Sequence, residues 1–132
     1  MLRRDFIMVQ IEELGKVIAQ LIARRDTNAT RRIPEQVQVI YDSLLLDRNF
    51  LLTAPPEEIR QRLDHEDSGG ILRMEIAIKT LIEESFYVEP DERQRRLLRA
   101  KELLEYLQHT DITFSFERIN QLNEIDHWLK EG

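Results

Sequence analysis

The sequence predicts an all-α fold, a compact array of about six helices, and three observations carry that prediction. Apolar residues recur three and four positions apart along most of the chain, the spacing that puts them on one side of a helix. Glycine and proline number only four each in 132 residues, which leaves few of the breaks that a turn-dense sheet protein needs. The one stretch that alternates as a strand would, ITFSF at Ile112 to Phe116, has no visible partner in the chain. With hydrophobic residues at 42% and charged residues at 33%, the chain reads as a single globular domain over residues 1–132, large enough to bury a core without a metal or disulfide staple.

The elements follow in order. From Asp5 to Arg25, Ile7, Ile11, Leu14, Ile18 and Leu21 repeat with helical spacing, widened by Phe6, Val17 and Ile22, and give a long helix with a broad apolar face. DTNATRR reads as a loop, and Pro34 suits the first turn of a second helix with Val37, Ile40, Tyr41, Leu44 and Leu45 on its stripe, ending near Asn49. TAPPEEIRQRL offers Thr53 as a cap, prolines for the first turn and Glu57 and Glu58 at the positive helix end, so it is a short third helix. After DHEDSGG, capped by Asp67 or Ser68, a fourth helix carries Ile71, Met74, Ile78, Leu81 and Ile82 inward, with Glu75, Lys79 and Glu83 expected on a solvated side. Pro90 breaks it, Asp91 and Gln94 resemble a capping box, and Leu97, Ala100, Leu104 and Leu107 define a fifth helix. ITFSF is read as a turn into a sixth helix that runs through Ile119, Leu122 and Leu129 to the end.

Gly15 is the anomaly of the first helix, because glycine inside a helix costs about 1 kcal/mol relative to alanine. Gly15, Ala19 and Ala23 fall four apart, a ridge of small residues that would let another backbone pack closely. The alternative is that Gly15 is tolerated on a solvated face beside Lys16. Glu12, Glu13 and Lys16 argue against the membrane version of the same small-residue motif.

The run DFIMVQIEELGKVIAQLI resembles the opening of a group of short, uncharacterised bacterial proteins with tetratricopeptide-like helical domains. The resemblance is strongest over Asp5 to Ile22 and is architectural beyond it. It implies an array of tetratricopeptide-like helix pairs, and it implies no activity and no catalytic residues. No clean repeat consensus survives: aligning Ala100 as the small residue of a second repeat helix would put Pro90 inside the first.

Chemistry-bearing patterns are sparse. Glu124 and His127 form one Glu-x-x-His pair, half of a di-iron pattern, and neither His65 nor His109 completes it, so no metal is expected. His109 reads as a complement to a negative helix end. There is no cysteine, no nucleophile elbow and no phosphate-cradling loop around Gly69 and Gly70, so the chain is not expected to be an enzyme and no cofactor is expected. The lack of cysteine and the acids within the N-terminal apolar run fit a cytoplasmic protein, and no run of about 18 uncharged apolar residues suggests a membrane.

Charge gives the remaining clue. Arg93, Arg95, Arg96, Arg99 and Lys101 crowd the fifth helix, with Arg24, Arg25, Arg31 and Arg32 around the first loop. Arg95 and Arg99, four apart, are the candidates for contact with an anion or partner. Against a net charge of −6, a solvated face partly paired through Arg99 with Glu102 and Lys101 with Glu105 is the simpler expectation, and nucleic acid is disfavoured. The reading that results is a small helical protein-interaction module whose partner is another protein or a second copy. The alternative is a nucleic-acid-associated regulator using the arginine-rich helix.

Overall fold

The computed structural model describes residues 3–25, 33–111, 113 and 115–131. They form seven α-helices and no strand: α1 (Arg3–Ala23), α2 (Ile33–Ser43), α3 (Arg48–Thr53), α4 (Pro56–Asp64), α5 (Gly70–Ser85), α6 (Pro90–Thr110) and α7 (Phe116–Glu131), with a 3-10 turn over His65–Asp67. The all-α expectation holds. Among the described residues no helix is long and apolar enough to cross a membrane. The loop read in DTNATRR lies outside the described residues, as do Ile112 and Phe114 of ITFSF.

α5 is the axis of the fold. It packs against α1, α2, α4 and α6, and Met74, Ile76, Ala77, Ile78, Leu81 and Ile82 are all buried. A helix covered on so many sides has no wide solvated face. Thus the expected solvated row is corrected: Glu75 and Lys79 are half-buried beneath α7, and Glu83 is 2% exposed. The charges survive there because each is paired, Glu75 with Arg118 at 2.6 Å, Lys79 with Glu117 at 2.6 Å, and Glu83 with Arg25.

The expected second helix is two. α2 ends at Ser43, where Leu45 N–H bonds Asp42 O at 3.0 Å and Leu46 N–H bonds Tyr41 O at 2.9 Å, the paired bonds of a Schellman stop. The residue that turns the chain is Leu45, at φ 55°, instead of the glycine that usually occupies this left-handed position. Asp47 then caps α3, its carboxylate accepting from Phe50 N–H at 3.0 Å. Thr53 therefore ends α3 and does not cap α4, which starts on prolines at Pro55 and Pro56 without a side-chain cap.

The start of α5 is held by Asp67, one of the two caps expected, and by Asp64, which lies farther back. Asp64 accepts from Gly70 N–H and Asp67 from Gly69 N–H, both at 3.0 Å. A Cβ at Gly70 would lie 2.5 Å from the Arg60 carbonyl oxygen, so glycine is required where α5 meets α4. Asp67 also holds the buried Arg73, which donates to Leu63 O at 2.9 Å and Gln10 Oε1 at 3.0 Å, tying α1, α4 and α5 together. At the other end of the core Glu84 receives Arg48 and Arg96, each at 2.7 Å, beside the fully buried Tyr41. Burial, with Glu84 adding to it, holds the Tyr41 hydroxyl far above its ordinary pKa.

Candidate functional site

The arginine-rich helix is α6, and it does not present a basic surface. Arg99 is 9% exposed and donates through Nε to Leu51 O at 2.9 Å, and through its guanidinium to Ala54 O and Glu102. Carbonyls at the end of α3 have no intrahelical partner, and this one side chain satisfies them across the interface. The expectation that Arg99 contacts an anion or partner is corrected by that burial. Arg95 remains half-exposed, 3.7 Å from Glu92. Arg96 is buried between Glu84 and Glu92, Lys101 meets Asp126 at 2.9 Å, and Arg93 stacks 5.4 Å from the centre of the Phe86 ring. Lys101 thus crosses to α7 for its ion-pair partner, where Glu105 had been expected.

The histidines are equally committed to helix surfaces. His109 places Nδ1 2.7 Å from Glu105 O, in the last turn of α6, the terminus complement anticipated for it. His127 pairs with Glu131 at 2.9 Å on exposed α7, turned toward Glu131 where the Glu-x-x-His pattern had offered Glu124.

The ridge of small residues leads to a concave feature between helices. An added Cβ at Gly15 would meet nothing within 4 Å, and Ala19 and Ala23 are exposed. The close helix packing expected of Gly15, Ala19 and Ala23 is therefore corrected: the space over Gly15 is open among the described residues, and neither alanine is buried. Gly15 and Ala19 instead line an open trough of about 720 Å³ with α1 as one wall, α7 as the other and α5 as the floor. α7 packs on α6 through buried Arg118 and Ile125, and it reaches α5 through the ion pairs of Lys79 and Glu75, so it stands apart from α1.

The two walls differ in chemistry. The α1 wall is Gly15, Ile18, Ala19 and Ile22, apolar and small. The α7 wall is Glu117, Asn120, Gln121 and Glu124, a polar face at helical spacing. Arg25 and Trp128 close one end. Arg25 binds Glu83 with two nitrogens, Nε at 2.8 Å, and lies 4.8 Å over Phe86 and 5.4 Å over Trp128, whose rings meet edge to face at 5.1 Å. The hydrogen bonds that Arg25 donates to Glu83, with Glu124 among the further contributors, raise the Arg25 pKa above its ordinary value. Sequence reasoning placed Arg25 in a loop cluster and Glu83 in solvent. Only the crossing of α1 over α5 brings them together.

A second recess, of about 1000 Å³, lies where Phe6, Val9 and Leu45 are exposed beside His65 and Glu66. Its lining is Phe6, Val9, Gln10 and Glu13 of α1 together with Leu45 and the His65–Asp67 turn, whereas the α1–α7 trough has two long helices facing each other across its floor. Comparison of the chain with protein-family models, curated proteins and solved structures returned no match.

Proposed function

We propose that the protein is a small helical interaction module and that the trough between α1 and α7 receives a helical segment of a protein partner. The observation that supports this best is Gly15. A glycine in mid-helix costs about 1 kcal/mol against alanine, and no close contact among the described residues offsets it. A partner backbone lying over Gly15 and Ala19 would gain the close dispersion contacts that the chain itself lacks. A trough walled by helices suits the helix-in-groove mode, in which anchors at i, i+3, i+4 and i+7 enter an apolar strip. The tetratricopeptide-like reading belongs to the same proposal and rests on the Asp5 to Ile22 resemblance. A cytoplasmic, non-enzymatic role is proposed with it. The nucleic-acid alternative loses support, since Arg96, Arg99 and Lys101 of α6 are held by partners on α5, α3 and α7, while Arg95 stands half in solvent.

Selection tests the reading. A displayed library of helical peptides is panned on the parent protein and counter-selected on Ala19→Arg, a change at an exposed helix position that fills the trough and leaves the core alone. Recovery of binders that fail on Ala19→Arg is the expected result. Binders recovered equally on both proteins, or none at all, would overturn the proposal.

A further inference from the structure

The charges around the trough narrow the partner, and we infer that its occupant is a basic amphipathic helix. This rests on reading the trough as a docking site. Two internal pairs, Arg25 with Glu83 and Lys79 with Glu117, use both cations of the lining. Glu124 is exposed on the α7 wall and, among the described residues, has no ion-pair partner within 4 Å, although its charge acts on Arg25; that wall offers two carboxylates and two amides but no cation. Glu117, whose exposed carboxylate already takes Lys79, and Glu124 are seven residues apart, two helical turns or about 10.5 Å, so a second helix can set one Lys or Arg against Glu124 and share Glu117 with Lys79 at the same spacing. On α1, outside the lining, Glu12 is exposed and shares a face with Ala19, seven residues on. The net charge of −6 adds a field that draws a cationic segment toward the molecule.

The partner helix would therefore set an apolar stripe with small residues against Ile18, Ala19 and Ile22, and a row of Lys or Arg against Glu117 and Glu124. A second copy is the poorer occupant. Its own most apolar exposed helix is α1, flanked by Glu12 and Glu13, which would bring carboxylates against carboxylates.

Two synthetic helical peptides with the same Leu and Ala stripe, one flanked by Lys and one by Glu, are titrated while following Trp128, the single tryptophan of the chain and a lining residue. The Lys-flanked peptide is expected to bind about tenfold or more tighter at about 50 mM salt, with the gap closing at about 0.5 M. Glu124→Lys, an exposed change checked for retained helicity, is expected to erase the preference. Equal affinities, or a preference for the Glu-flanked peptide, would overturn the charge inference and leave the docking site standing. Binding of neither peptide would overturn both. Sedimentation of the unliganded protein as a dimer that Ala19→Arg dissociates would identify a second copy as the occupant and overturn the basic-helix inference.

Discussion

Arg99 reaches from α6 to the end of α3 and makes two backbone acceptors and one carboxylate its partners, while Arg95, one turn earlier, lies half in solvent. Identical side chains on one helix therefore have different roles. Arg99→Ala should lower stability by about 2 to 3 kcal/mol, because buried carbonyls lose their donor, whereas Arg95→Ala should stay within about 0.5 kcal/mol. Urea denaturation of the two variants checks this, and similar losses would contradict it. The two helical glycines divide in the same way. Gly15→Ala should stabilise by about 0.5 to 1 kcal/mol, since its Cβ enters open space, and Gly70→Ala should destabilise by about 1 to 3 kcal/mol, since its Cβ meets the Arg60 carbonyl. A loss of stability in Gly15→Ala would show that the trough is closed in solution. Leu45, 74% exposed in a left-handed conformation, should gain about 0.5 to 1 kcal/mol on replacement by glycine. An unchanged melting midpoint would remove the strain argument.

At the scale of elements, the fourfold tie of Asp67, Arg73, Leu63 and Gln10 holds the start of α5 to α1 and α4. The Arg73 guanidinium, bonded to its carboxylate, is the main reason that Asp67 is held down to about 2, and Arg118 lowers Asp111 by the same means. A carboxylate with a lower pKa folded than unfolded adds stability above its unfolded value near 4 and loses it as pH falls through the folded one. Stability should therefore drop between about pH 4 and pH 2, and Asp67→Asn should flatten that limb while costing about 2 kcal/mol at neutral pH. Denaturation midpoints across that range measure it, and an unaltered acid limb in Asp67→Asn would contradict the assignment. These elements also show what the sequence made legible. The apolar spacing of α1, α5 and α6 and the proline at the start of α6 were readable because each is a local pattern. The break between α2 and α3 was hidden by Leu44-Leu45-Leu46, which continues an apolar stripe and lacks glycine, although Asp47 before Phe50 was a usable cap signal. The charged row of α5 looked solvated because burial by α1 and α7 is a property of packing, which no local spacing records.

For the molecule as a whole, one central helix wrapped by neighbours leaves α1 and α7 apart, and the trough between them follows from that arrangement. The sequence marked one half of the site, since Gly15 and Ala19 stood out as a ridge made for a close contact. It could not show that the contact is missing within the described residues, nor that Glu117 and Glu124 would form the facing wall, because a hundred residues separate the two walls. The paired arginines of α6 likewise look like a basic surface until their partners on α3 and α5 are in view. The central claim is that the space over Gly15 belongs to a partner helix. The measurement that tests it most directly is the affinity of a peptide selected on the parent, titrated against the parent and Gly15→Leu by Trp128 fluorescence. Gly15→Leu should fold at least as stably as the parent, since leucine is the better helix former and its Cβ meets nothing within 4 Å before the side chain enters the trough, yet bind the peptide about tenfold or more weakly because that side chain occupies the partner's place. Unchanged affinity in a normally folded Gly15→Leu would contradict the claim.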